Sequence, residues 1–202
     1  MAAFDELVAL VRPPDLWRFA IDWEAIESSI GARLPDDYRS IVDHYGWGGF
    51  YEDLAIWVPP TLSVPEHGDI TIQGPWARDS LAGLRASIPA SDVWVFPDGT
   101  SAPVDLGDDA NIPFLGWGAN SGGCYGYWHM IGPDPNTWPV VYTNLGGNWD
   151  YHPGGLAEYL LAKLSNTYPE NTDDYRNRQE QDGGDVHAEP LYGEPYFAMW
   201  TE

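Results

Sequence analysis

Residues Trp23 to Phe50, WEAIESSIGARLPDDYRSIVDHYGWGGF, carry the pattern that most restricts the fold. Trp23, Ile26 and Ile30 recur at helical spacing, so one face of this segment must be buried. Asp22 stands where a carboxylate accepts from the free amides of a first turn, and Ile21 and Ile26 stand at the two positions of a hydrophobic staple. Gly31 supplies a left-handed residue to end the helix. A second helix is predicted from Pro35, whose missing N–H costs nothing in a first turn. Asp36 and Asp37 then face the positive end of its dipole. Tyr38, Ile41, Val42 and Tyr45 form its buried stripe, Gly46 stops it, and Gly48 and Gly49 permit a sharp exit into strands.

The remaining periodicity predicts an α+β chain. Phe4, Leu7, Val8 and Val11 mark a helix near residues 3–11, ended by Pro13 and Pro14. Leu54 to Val58 reads as a strand closed by Pro59 and Pro60. Ile70 and Ile72 alternate with Thr71 and Gln73, which reads as another strand, followed by a helix over about 79–87. Val93 to Phe96, Ile112 to Trp117, Cys124 to Met130 and Trp138 to Tyr142 are short, aromatic or β-branched, and separated by Gly, Asn and Pro, the spacing of an antiparallel meander. Leu156, Tyr159, Leu160 and Leu164 give a late helix over 155–164. The expected architecture is a twisted, mainly antiparallel sheet packed against N-terminal helices and this late helix. Residues 165–190 read as an acidic polar tail. Residues 191–202 are different: Leu191, Tyr192, Tyr196, Phe197, Met199 and Trp200 are too apolar to leave in water and are expected to dock on the 1–164 domain.

Catalytic signatures are missing from the sequence. The five histidines show no metal-ligand spacing, and there is no Cys-x-x-Cys, so no metal and no cofactor are expected. Cys124 is the single cysteine. His129 is five residues on, an odd offset that places it on the opposite face of a strand, so Cys124 reads as a packed core thiol. Ser121 lacks the Gly-x-Ser-x-Gly spacing of a nucleophile elbow, since Ala119 fills the first glycine position. A single cysteine forms no internal disulfide, which fits a reducing cytoplasm. Asp5 and Glu6 stand where a secretory leader needs basic residues, and no apolar run approaches the ~20 residues of a membrane span. A cytoplasmic protein with no membrane partner is expected.

Charge is the more informative feature. The formal net charge is -22, from 9 Lys+Arg against 31 Asp+Glu. Such a chain repels phosphate backbones, so direct nucleic-acid binding is not expected. No Lys or Arg occurs from Ala86 to Ala162. Asp98, Asp105, Asp108, Asp109, Asp134 and Asp150 fall in that interval, in predicted loops that would gather them into a negative surface. Trp47 and Trp149, beside glycines in turns, are the candidate exposed anchors, while Trp94, Trp117, Trp128 and Trp138 read as core. From charge alone, solubility and attraction of a basic partner stand level.

Leu34-Pro35-Asp36-Asp37-Tyr38-Arg39 followed by Tyr45-Gly46-Trp47-Gly48-Gly49-Phe50 resembles the N-terminal signature of the SUKH superfamily, a group of bacterial immunity proteins and a yeast cell-wall-assembly regulator. Trp117-Gly118, Asn120, Gly122, Trp128 and the run Gly132 to Val141 resemble the central sheet of its actinobacterial-type members. The likeness covers roughly Ile21 to Leu164. It implies a non-enzymatic protein that binds and neutralises a cognate toxin domain, and the charge points to a basic one, such as a nuclease or nucleic-acid deaminase. The alternatives are a regulatory interaction domain, as the yeast relative implies, and a glycan binder that uses its tryptophans. The signature describes a fold, so no contact residue is carried over from it.

Overall fold

The computed structural model describes residues 2–15, 20–51, 53–60, 64–107, 112–169 and 196–200. Three helices open the chain: α1 (Ala2–Leu10), α2 (Trp23–Ile30) and α3 (Asp36–Tyr45). Two short strands come next, β1 (Gly48–Phe50) and β2 (Leu54–Ile56), then α4 (Ile70–Leu84). The second half is β3 (Val93–Val95), β4 (Ser101–Pro103), β5 (Phe114–Ala119), β6 (Tyr125–His129), β7 (Val140–Thr143), β8 (Asn148–His152), α5 (Leu156–Leu164) and β9 (Phe197–Met199). The strands form one sheet in the order β4-β3-β8-β7-β6-β5-β2-β1-β9. Its neighbours pair antiparallel except β3 and β8, which run parallel. The α+β expectation holds, with that one parallel pair added.

Asp36, Asp37 and Tyr38 of the Leu-Pro-Asp-Asp-Tyr signature each tie α3 to a different part of the molecule. The Asp36 amide donates to Asn136 Oδ1 at 2.8 Å, and Asn136 Nδ2 donates to Asp36 Oδ2 at 3.1 Å. Asp37 Oδ2 accepts from the Ala157 amide at 2.9 Å and so caps the first turn of α5 from outside that helix. The Tyr38 hydroxyl donates to the Trp57 carbonyl at 2.8 Å. Its ring meets Trp128 edge-on at 5.0 Å. Leu34 is fully buried beside them. Glu27 of α2 accepts from the Leu34 amide at 2.7 Å and pairs with Arg39, whose guanidinium lies over Trp23. Helix α2 itself is capped as its sequence predicts, Asp22 accepting from the Ala25 amide and Gly31 ending it at φ 78°.

Ring contacts distinguish the two faces of the sheet. Trp117, Trp128 and Tyr142 face α3 and α5, with Tyr159 of α5 against both Trp117 and Tyr142. Gly126 makes room there, since a Cβ on it would stand 2.2 Å from the Trp117 ring. On the other face Gly116 of β5 meets α4, where a Cβ on Gly116 would stand 2.9 Å from Ala77. Trp94, Trp117, Trp128, Trp138 and Cys124 are all buried.

Two predicted elements require correction. The Ile70–Gln73 alternation is the first turn of α4, not a strand, and the helix expected over 79–87 starts at Ile70. Asp69 caps it, accepting from the Thr71 amide at 2.8 Å and the Thr71 hydroxyl at 2.7 Å. Ile70, Gly74, Ala77 and Leu81 are its buried stripe, at helical spacing. The region around Trp149, taken for a turn, is strand β8, paired with β7 on one side and β3 on the other. The core also continues past α5: Tyr168 is buried, and its hydroxyl donates to the Val95 carbonyl at 3.2 Å.

Candidate interaction surface

The sheet register decides which acidic loops lie together. β6 and β8 are both antiparallel to β7, and β3 is parallel to β8, so all three run the same way. The turn after β3 and the connection after β6 therefore leave the sheet at the same end. Asp98 stands in the first and Asp134 in the second, both exposed. Asp98 accepts from the Thr100 amide at 2.9 Å and the Thr100 hydroxyl at 2.6 Å. Those bonds hold its carboxyl below the usual carboxylate range. Asp134 accepts from the Asn136 amide at 3.0 Å. α5 begins at this end too, which brings in Glu158, and the Asn136 bonds bring in Asp36; both side chains are more than half exposed. Arg33 pairs with Asp36 at 3.0 Å, so the field here is not purely negative. Asp105 is exposed and closes its loop by accepting from the Gly107 amide at 2.8 Å. Asp108 and Asp109 lie outside the described residues.

Three predicted surface residues are buried instead. Asp150 has no exposed surface, because its strand places it against α5. Its Oδ2 accepts from the Tyr159 hydroxyl at 2.9 Å and pairs with Lys163 Nζ at 2.7 Å. Trp149, on the opposite face of β8, is fully buried and donates its indole N–H to Asp92 at 3.1 Å. Trp47 is only 4% exposed, because Trp200 meets it edge-on at 4.7 Å and the space beside Gly68 receives its ring. For the two tryptophans the covering group is remote in sequence, and for Asp150 it is the following helix, so local turn signals could not reveal it.

An exposed aromatic that the sequence pattern did not disclose is Trp76, 49% exposed on α4, with Ile72 one turn before it at 44%. Trp76 packs near Tyr125, with ring centroids 5.9 Å apart. Tyr125 begins β6, so this apolar patch lies at the end of the sheet opposite Asp134. With α4 read from Asp69, Ile72 and Trp76 fall off its buried stripe, and their exposure becomes legible.

Beneath the acidic end sits a buried polar group around α5. The Lys163 ammonium lies within 5.5–6.0 Å of the ring centres of Tyr142, Tyr159 and Tyr168. His152 is 4% exposed, and neither ring nitrogen has a hydrogen-bond partner among the described residues. Burial pushes its imidazole below the ordinary value, against the opposing pull of Glu158 and Asp150. Asp150 and His152 are enclosed under α5, and Lys163 reaches from the helix to Asp150, an arrangement that braces the helix. Ser121 gives its hydroxyl and amide to Asp53, pinning the β5–β6 loop to the β1–β2 turn. Among the described residues no group of three or more His, Cys, Asp or Glu is placed to hold a metal ion. Nor is any helix among them long and apolar enough to cross a membrane. Compared with known proteins, the chain matches no family model, no curated protein and no solved structure.

Proposed function

We propose that the chain is a non-enzymatic, SUKH-type immunity protein that acts in the cytoplasm by binding a basic toxin domain and blocking its active cleft, the toxin being a nuclease or nucleic-acid deaminase. The observation that carries this reading is the placement of charge. Asp98, Asp105 and Asp134 are surface carboxylates in an interval that holds no Lys or Arg, and two of them share one end of the sheet. A nucleic-acid-cleaving or -modifying site presents a positive field to phosphates, and an acidic surface of this kind is attracted to it and competes for it. The signature residues add support of a different kind: they resemble a family of toxin-neutralising proteins, and here they hold the scaffold together. Trp76 with Ile72 replaces the buried Trp47 and Trp149 as the anchor, for a partner that reaches from the acidic end to the opposite end of the sheet.

The test begins with capture of the partner by the purified protein and assay of that partner's toxicity with and without it. Association kinetics are then measured for Asp98→Asn/Asp105→Asn/Asp134→Asn and for Trp76→Ala. The triple variant is expected to associate several-fold more slowly at low salt, with little change in dissociation. Trp76→Ala is expected to dissociate faster. A captured partner that is acidic, or whose toxicity is unaffected, defeats the proposal.

A further inference from the structure

The C-terminal strand is held by a cradle shaped to its side chains. β9 pairs with β1 in the register Gly48–Met199, Gly49–Ala198 and Phe50–Phe197. Two further bonds extend this ladder, from the Tyr51 amide to the Tyr196 carbonyl at 3.1 Å and from the Trp200 amide to the Trp47 carbonyl at 3.3 Å. The Phe197 ring lies 5.1 Å from both Tyr45 and Phe50. On the other face Trp200 covers Trp47. Two glycines create the space. A Cβ on Gly48 would stand 2.2 Å from the Ala198 carbonyl oxygen and 2.6 Å from the Phe197 ring, and one on Gly49 would stand 2.8 Å from the Trp200 ring. The edge of β1 thus reads an extended backbone carrying two aromatic side chains three residues apart, one on each face.

This segment is joined to the core only through residues 170–195. A stretch of that length reaches on the order of 90 Å when extended, well beyond the radius of one domain of this size. Connectivity therefore does not dictate whose β1 receives the strand. We propose that the β1 edge is a docking site specific for this chain's own C-terminal segment, and that at high concentration it takes the segment from a second copy, giving a two-fold, arm-exchanged dimer. Monomer and dimer share the same contacts. They differ in loop closure against association, so the balance follows the effective concentration of the tethered strand, which falls as the tether lengthens. The net charge of -22 on each copy opposes the dimer at low salt, and screening relieves that opposition.

Complementation between two full-length variants tests the proposal. Gly48→Val fills the cradle and leaves the strand intact, while Phe197→Ser/Trp200→Ser spoils the strand and leaves the cradle open. Each alone is expected to be monomeric. Mixed at high concentration and high salt, they are expected to give a 1:1 complex of twice the mass by light scattering, with a change in tryptophan emission. Cooperative melting of each variant checks that it is folded. If Gly48→Val does not fold, the wild-type chain replaces it, and its dimer fraction must rise with concentration and vanish in Phe197→Ser/Trp200→Ser. A synthetic Pro195–Glu202 peptide must also bind the open-cradle variant saturably and raise its melting temperature. Mixtures that stay monomeric while the peptide binds overturn exchange between copies. Equal binding of an unrelated Val/Thr strand peptide overturns specificity for this segment.

Discussion

Single side chains in this protein do work that their sequence neighbours do not reveal. Asp37 looks like a dipole-complementing residue in the first turn of α3, yet its Oδ2 caps α5, 120 positions away in the chain. Burial raises its carboxyl pKa despite the bonds from Ala157 and Tyr38. Asp37→Ala is expected to cost about 1 kcal/mol, as for a lost helix cap. Asp37→Asn keeps an acceptor and removes a charge that burial disfavours, so chemical denaturation should find it the milder change. His152 gives a pH prediction. Its folded pKa lies below its unfolded value, so between the two the unfolded chain binds more protons, and stability falls as pH drops through about 6.5 toward the lowered value. His129 is shifted the same way by burial and adds to the loss. Asp37 has the opposite sign: its raised pKa makes the folded state the better proton binder just above pH 4, which favours folding there. Loss of negative charge on acidification also relieves self-repulsion, so the difference between chains is the decisive quantity. His152→Leu should lose less melting temperature than wild type between pH 7.5 and 5.5. An equal loss in both would mean that His152 gains a proton as readily folded as unfolded.

At the level of elements, helix α5 is fastened to the sheet by a buried ion pair, and the pair explains what pattern reading could and could not deliver. Lys163 Nζ stands 2.7 Å from Asp150 Oδ2, which is fully buried. Removing only the cation, as in Lys163→Met, strands a carboxylate in the core and is expected to cost about 3 kcal/mol. Adding Asp150→Leu should recover much of that loss, because an apolar pair often replaces a buried ion pair at little cost. Urea denaturation of both variants checks the recovery; additive losses would mean that the two groups do not depend on each other. The helix itself was legible from Leu156, Tyr159, Leu160 and Leu164, whose period is local. The strand that carries Asp150 was not, because Gly146 and Gly147 before Trp149 signal a turn, and only pairing with β3 and β7 makes Asn148–His152 a strand. Helix α4 failed for the converse reason. Ile70 and Ile72 mimic strand alternation, and Gly74-Pro75 looks like a break, yet Pro75 lies inside the helix, where it merely leaves one backbone bond unmade. The surface site was less legible than the fold. The chain's charge and the loop positions of Asp98, Asp105 and Asp134 could be read directly, while the burial of Trp47 depends on Trp200 at the far end of the sequence.

On the scale of the whole molecule, one quantity acts on stability and on association in opposite directions. A net charge of -22 makes the folded state repel itself, since folding crowds carboxylates that the unfolded chain keeps apart. Exposed pairs such as Arg12–Asp15 and Arg33–Asp36 offset little of this, because such pairs are worth about 0–1 kcal/mol and are screened. The buried Asp150–Lys163 pair is screened far less and stays nearly constant with salt. Raising sodium chloride from about 0.05 to 0.5 M shortens the screening length from beyond 10 Å to well under it. The melting temperature should therefore rise with salt, as self-repulsion is relieved. The same screening would remove the long-range attraction of the acidic end for the basic partner proposed here, so the association rate should fall over the same range, and dissociation, governed by close contacts, should change little. Thermal melts and stopped-flow association across one salt series measure both. If the melting temperature rises while association stays flat, the charge acts on the fold but not on the encounter, and the partner docks on the Ile72–Trp76 patch without electrostatic guidance. A melting temperature and an association rate that are both flat would mean that the carboxylates are spread too thinly to generate a field at the surface, and the charge-based reading of the partner would fail with it.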